Sequence, residues 1–336
     1  MPNNKAKQKK RIFSSVESER GAFFQLKKAA KTGDGIALVE LGSMYLKGGQ
    51  NIEKAVHCYR VAAEKGDAVG QSELGLMYEE GKGIERDERK AFEYFRLAAD
   101  QGLGYALCRL GHAYAKGTAG FDRNISRAIE YYEAATKKGS VDAPFLLGVM
   151  YASGIDIQED LSKTERYWIE AGKRGHPGAL FNLGYMYSIG KGVPRDLDQA
   201  EAYYRSAAEL GHLEALNNLG SMYSRRGQGA EAVEFYSRAS QGGHATSAFN
   251  LGAMYFKGDG VPKDLRRATE LYRLAALNGV KDAQFNMGHF YAEGLTVAKD
   301  SARAVVFFRL AAAQSDSQAR RGMEMVMRYR TGGTQN

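Results

Sequence analysis

A leucine-glycine pair, with methionine replacing leucine in the last copy, recurs eight times along this chain, each time followed three residues after the glycine by a tyrosine. The pairs are Leu41-Gly42, Leu74-Gly75, Leu110-Gly111, Leu147-Gly148, Leu183-Gly184, Leu219-Gly220, Leu251-Gly252 and Met287-Gly288. The tyrosines are Tyr45, Tyr78, Tyr114, Tyr151, Tyr187, Tyr223, Tyr255 and Tyr291. Successive glycines lie 33, 36, 37, 36, 36, 32 and 36 residues apart. Self-similarity at such a period specifies a stack of small supersecondary units, in which each unit buries its apolar face on its neighbours. A chain of 336 residues that would otherwise be divided into two or more domains is therefore read as one continuous array.

Residues 176–211 serve as the type unit. Leu180, Leu183 and Tyr187 fall at helical spacing. Gly190, Gly192 and Pro194 break the chain. A second periodic run, Leu197 to Leu210, then closes at Gly211. Asp196 is a natural N-cap for the second helix, and Gly211 suits the left-handed turn that ends it. The unit is helix A, loop, helix B, tight turn. Six repeats carry a glycine-rich loop ending in a capping residue: Asp87, Asn124, Asp160, Asp196, Asp264 and Asp300. The repeats around Leu41 and Leu219 have short loops (Gly48-Gly49 and Gly227-Gln228-Gly229) and lack it.

A glycine in mid-helix costs about 1 kcal/mol relative to alanine, and eight such glycines need an offset. Close approach of helix B over helix A supplies one. The alanine pairs of helix B, such as Ala62-Ala63 and Ala207-Ala208, are expected to permit that approach. The aromatic pairs preceding them, such as Tyr94-Phe95 and Tyr203-Tyr204, are expected to fill the space between neighbouring units. Trp168, the sole tryptophan, falls in that slot and reads as core. Ala22 to Gly33 reads as a lone helix B. The expected organisation is a basic, disordered tail at 1–11, an N-terminal capping helix at 12–33, eight repeats at 34–316, and a C-terminal capping helix and tail at 317–336.

The recurring pattern is Ala-x-x-x-Leu-Gly-x-Met-Tyr, then Gly-x-Gly-Val/Ile-x-x-Asp, then Lys-Ala-x-x-Tyr-Tyr-x-x-Ala-Ala-x-x-Gly. It resembles the Sel1-like repeat, a branch of the tetratricopeptide superfamily, over about residues 22–316. The clearest copies are Asn182 to Gly211 and Asn250 to Gly279. The resemblance implies an all-α, right-handed superhelical solenoid of about eight helix-turn-helix repeats with terminal capping helices, helix A lining its concave face. It further implies a non-enzymatic scaffold or adaptor that binds a peptide or helix of a protein partner. Some secreted bacterial relatives carry a disulfide in each repeat, a pattern this chain lacks.

Two registers of helix A look chemically purposeful. Asn182, Asn218, Asn250 and Asn286 stand immediately before the leucine (Met287 in the last repeat), joined by Asn217. A carboxamide offers both donor and acceptor, so a ladder of them can bond the backbone of an extended peptide without reading its sequence. The alternative is bonding to the neighbouring helix. Phe181, Phe249 and Phe285, with Phe145, form the second register, suited either to anchoring a partner or to core burial. Tyr185 and His289, with His112, add to the same face. The first three repeats hold Glu40, Glu73 and Arg109 in the asparagine register, which places the main site in the C-terminal half.

Other chemistries find little support. The net charge of +8 is concentrated in the ends: residues 1–20 carry +4, residues 317–336 carry +3, and the body is left with +1. That is not the footprint of a groove that tracks phosphates. RNA binding through the basic termini stays as an alternative, and a hydrolase acting on cell-wall peptides or β-lactams is another. No nucleophile elbow or paired-cysteine zinc motif occurs. His176, His212 and His244 recur at unit starts, about one helix layer of 10 Å apart, too far to share one zinc with bonds of about 2 Å. No metal or cofactor is expected. Cys58 and Cys108 lie in different registers, the basic N-terminus lacks an apolar signal core, and no apolar run approaches about 18 residues. A cytoplasmic location is the expectation.

Overall fold

The computed structural model describes residues 21–47, 51–118, 120, 122–314, 321–324 and 326. The expected tail at 1–11, the first part of the expected N-terminal cap, the Gly48-Gly49 loop and most of 317–336 lie outside them. Helices and turns make up the described chain, and no strand occurs among the described residues. After a helical stretch over residues 21–31 come sixteen helices in alternating A and B order. They are α1 (Gly35–Lys47), α2 (Ile52–Glu64), α3 (Ala68–Glu80), α4 (Glu88–Asp100), α5 (Gly104–Lys116), α6 (Ile125–Lys137), α7 (Asp142–Ser153) and α8 (Leu161–Lys173). The series continues with α9 (Pro177–Ile189), α10 (Leu197–Glu209), α11 (Leu213–Arg225), α12 (Gly229–Gln241), α13 (Ala245–Lys257), α14 (Leu265–Leu277), α15 (Lys281–Glu293) and α16 (Ser301–Ala313).

The chain forms two compact units, residues 1–174 and 175–336. Each holds four repeats. In a stack where each repeat touches only its neighbours, a division falls at a turn between repeats, and this one falls at the turn between α8 and α9.

Local signals fix the helix ends beside the long loops. All six predicted loop caps accept a backbone N–H in the first turn of helix B: Asp87 from Lys90, Asn124 from Arg127, Asp160 from Lys163, Asp196 from Asp198 and Gln199, Asp264 from Arg267, Asp300 from Arg303. This satisfies donors that the helix itself leaves open. Each capping residue also donates its own N–H to the carbonyl of the repeat tyrosine, as Asp196 does to Tyr187 at 2.9 Å and Asp87 to Tyr78 at 3.0 Å. The tyrosine thus closes the loop from one side and the cap from the other. Gly190, at φ 76°, ends helix A in the left-handed conformation, and Gly211, at φ 83°, turns the chain after helix B. The two short-loop helices, α2 and α12, have no side-chain cap. Beside α12 the following repeat's loop comes in so closely that a Cβ on Gly260 would strike the backbone of Gly229.

The repeat glycine has a more specific partner than expected. A Cβ on Gly42, Gly184, Gly220 or Gly288 would stand 2.6, 2.6, 2.7 and 2.6 Å from the rings of Tyr59, Tyr204, Tyr236 and Phe308. In each case the ring belongs to helix B of the same repeat. The small residue that lets the backbones approach is the alanine four positions before that ring, since the Ala91 carbonyl lies 3.0 Å from a Cβ on Gly75. The alanine pairs serve both sides: the Ala135 carbonyl lies 3.5 Å from a Cβ on Gly104 of its own repeat, and a Cβ on Gly70 of α3, in the next repeat, would meet Ala62 at 2.5 Å. The first ring of several aromatic pairs stacks on the tyrosine of its own repeat. Tyr94, Tyr131 and Tyr167 stack on Tyr78, Tyr114 and Tyr151 at 5.9, 5.5 and 5.9 Å. The aromatic pairs therefore clamp helix A to helix B, and helix-B rings also fill space between units, as Phe95 does against Tyr105 at 6.5 Å and Tyr272 against Phe290 at 5.8 Å in the following repeats. Trp168 is core, 7% exposed, and its Nε1 donates to the Phe145 carbonyl at 3.2 Å.

Candidate functional site

All four ladder asparagines lie in the C-terminal unit, on α9, α11, α13 and α15. In each helix the alternation of buried and open positions leaves one stripe partly exposed. It runs through residues four and three positions apart, which share a helix face. In α9 the stripe is Gly178, Asn182, Tyr185 and Ile189. In α15 it is Asp282, Asn286, His289 and Glu293. Asn182, Asn218, Asn250 and Asn286 are half-buried at the middle of their stripes, Tyr185 is 49% exposed, and His289 is exposed. The leucine (or Met287) that follows each asparagine is fully buried or nearly so, so the core sets the rotation that turns each amide toward the surface.

The amides are not equivalent. Asn217 shares the phenylalanine register, and its Oδ1 accepts from Ser247 Oγ at 2.9 Å and from Asn250 Nδ2 at 3.3 Å. This bond ties the sixth repeat to the seventh. Asn218 hydrogen-bonds the Tyr204 hydroxyl, which also meets Ser188. Burial raises that hydroxyl's pKa, and the two hydrogen bonds oppose the rise. Asn182 and Asn286 have no hydrogen bond among the described residues. Asn250 also lines a cavity of about 140 Å³ with Ser224, Tyr236 and Lys257.

The phenylalanines are half-buried in ring clusters. Phe181 packs on Tyr204 at 5.8 Å and lies flat on His212 at 4.6 Å. Phe249 meets Tyr272 at 5.5 Å, and Phe285 meets Phe308 at 5.8 Å and His289 at 4.7 Å. His289 in turn lines a cavity of about 270 Å³ above Phe308 and Val326.

The histidine register is structural. His176, His212 and His244 are the N-caps of α9, α11 and α13, each accepting through Nδ1 from a backbone N–H: Ala179 at 3.1 Å, Ala215 at 3.3 Å and Ser247 at 3.2 Å. Among the described residues, no group of three or more His, Cys, Asp or Glu side chains is arranged to hold a metal. Both cysteines are free, and burial pushes the Cys108 thiol up to about 11, away from nucleophilic character at neutral pH.

One cluster escaped the sequence reading. Glu201 of α10 is enclosed by Arg205, by the Tyr223 hydroxyl that donates to it, and by Arg226, at 3.0 Å from Arg205 and 2.5 Å from Arg226. Burial acts to raise its pKa, but the hydrogen bonds from Tyr223, Arg226 and Arg205 outweigh it and hold the carboxyl at about 2. The i, i+4 spacing of Glu201 and Arg205 was the available signal. The contribution of the next repeat was invisible without the fold.

Helix pairs of fixed length, each clamped by a glycine and a ring and stacked on the next, define an α-helical repeat protein of the tetratricopeptide-like class. The chain belongs to the Sel1 repeat family: the Sel1 repeat matches residues 35–67, 68–103, 104–140, 141–176, 177–212, 213–244, 245–280 and 281–316. The fold is similar to a Sel1 repeat protein from Oxalobacter formigenes, at 29% identity and TM-score 0.66, over 90% of this chain and 89% of that one. It is also similar to c5321, a protective antigen of uropathogenic Escherichia coli with the same fold, at 26% identity and TM-score 0.58, over 91% and 75%. A search of curated proteins finds no match. Repeats of this family generally mediate protein–protein interactions and are typically non-enzymatic scaffolds. Among the described residues no helix is long and apolar enough to cross a membrane.

Proposed function

We propose that this protein is a non-enzymatic adaptor that binds a peptide segment or helix of a protein partner on the helix-A face of its last four repeats. That is the face the family resemblance expects to be concave. One observation carries the reading: Asn182, Asn218, Asn250 and Asn286 recur at the same half-exposed turn of four successive A helices. The same position is Glu40, Glu73, Arg109 and Leu146 in the other repeats, and Asn182 and Asn286 make no hydrogen bond among the described residues that packing would require. Phe181, Phe249 and Phe285 supply a rigid aromatic floor, and Tyr185 and His289 supply exposed rings at the border. Asn217 acts on the site by holding Asn250. The two unpaired thiols suit a reducing compartment, the cytoplasm.

The test replaces Asn182, Asn218, Asn250 and Asn286 with alanine together and compares partners captured from the native host by mass spectrometry. Circular dichroism verifies the fold of the variant. Loss of the wild-type partners is expected. Retention of all of them by the folded variant overturns the assignment.

A further inference from the structure

The N-terminal unit carries a second helix-A surface of different chemistry. Five residues before the repeat leucine, repeats one to three hold Ile36, Val69 and Tyr105, which are 69%, 43% and 45% exposed. The same position in repeats five to eight is Gly178, Glu214, Thr246 and Asp282. Large apolar side chains left in water at one register of successive repeats mark a surface that gains by being covered. One turn further along α1 and α3 stand Glu40 and Glu73. Helix α3 holds three acids, Glu73, Glu79 and Glu80, and no base. Arg109 pairs with Glu79. Glu73 is half-buried and has no hydrogen bond or ion pair among the described residues. Burial first, and the charge of Glu80 second, push its carboxyl above the usual range. The surface is an apolar row bordered by unneutralised acid, and it fits a segment that is apolar and basic.

Such a segment lies in this chain. Residues 1–20 are outside the described residues, and their sequence holds Lys5, Lys7, Lys9, Lys10 and Arg11 with no acid before Glu17. Ile12, Phe13 and Val16 follow the basic run directly. The connection is also short. Phe23 sits edge-on against Tyr45 with ring centroids 5.6 Å apart, so the helical stretch that starts at Gly21 begins beside the C-terminal end of α1. From there to Ile36 is one helix length, about 16 Å at 1.5 Å per residue. The seven residues between Phe13 and Gly21 span about 23 Å when extended.

We propose that this segment docks in cis on the helix-A surface of repeats one and two, with Ile12 and Phe13 over Ile36 and Val69, and with Lys9, Lys10 and Arg11 against Glu40 and Glu73. The contact joins apolar burial to ion pairs at the surface, and added salt weakens the second part.

Zero-length carbodiimide cross-linking of the full chain, in a dilute mixture of ¹⁴N- and ¹⁵N-labelled copies, tests this by mass spectrometry. Cross-links from Lys9 or Lys10 to Glu40 or Glu73 within one copy are expected. They should fall at least fivefold in an Ile36→Ser, Val69→Ser variant, which leaves both carboxylates in place. Three outcomes overturn the proposal: links spread evenly over acids outside the first two repeats, links only between copies, or links unchanged by the double substitution.

Discussion

Gly148→Ala sets two effects of opposite sign against each other at a position with its own optical probe. By helix propensity alone, alanine at mid-helix is stabilising by about 1 kcal/mol. In this structure the new Cβ would meet the Trp168 indole, with the ring's Cγ at 3.0 Å and other ring atoms closer still. Trp168 is 7% exposed and donates to the Phe145 carbonyl at 3.2 Å, so the ring has no open side to retreat to. Forcing an extra methyl into a packed core costs about 1–3 kcal/mol, and a lost hydrogen bond adds about 1 kcal/mol. The clash therefore outweighs the propensity gain, and a net destabilisation of about 1–3 kcal/mol is expected. Urea unfolding followed by the emission of Trp168, the sole tryptophan, reads the N-terminal unit directly. A shifted native emission maximum is expected alongside the lower midpoint. In a Trp168→Leu background, followed by circular dichroism, the same Gly148→Ala change should become neutral or stabilising. The result that refutes the clamp is a Gly148→Ala protein that is more stable than wild type with unchanged emission.

Two further predictions concern pH. Glu201 is held at about 2 instead of an ordinary 4.5, so its folded-state pKa is depressed. The stability it contributes is present above about 4.5 and is lost as pH falls toward 2. Glu201→Gln should cost roughly 1–2 kcal/mol at neutral pH after allowance for solvent screening and should flatten the acid limb of a thermal-melt series; an unchanged acid limb counts against the cluster. His212 caps α11 through an unprotonated Nδ1, and burial lowers its pKa, opposed by Glu214. Its contribution is therefore present above the ordinary histidine pKa of about 6.5 and fades as pH falls through the depressed value. His212→Asp, which caps without needing a neutral ring, should remove that part of the pH dependence of the melting temperature between about 7 and 5.

The helix pairs, their caps and their short-loop exceptions were legible in the sequence because each depends on residues within one turn of each other. Asp196 caps α10 because it precedes a periodic run, and Gly190 ends α9 because the chain there needs a left-handed turn. The partners of the repeat glycine were only half legible. The sequence demanded close approach at Gly184, but which residue approaches depends on how α10 is rotated against α9. That rotation puts Tyr204 on the glycine. The asparagine ladder could be listed by register, yet only side-chain geometry separates Asn217 and Asn250, which bond each other across a repeat boundary, from Asn182 and Asn286. Glu201 was hidden for the same reason, since two of its three partners come from the following repeat.

The sequence by itself determined the period, the number of repeats and the order of helices, because a recurring local pattern fixes a recurring local structure. The tertiary structure decided which rings clamp which glycines, which polar groups are already bonded and where the array divides. Those outcomes depend on distances between residues roughly 15–35 positions apart, and repeat spacing alone does not specify which side chains meet across them.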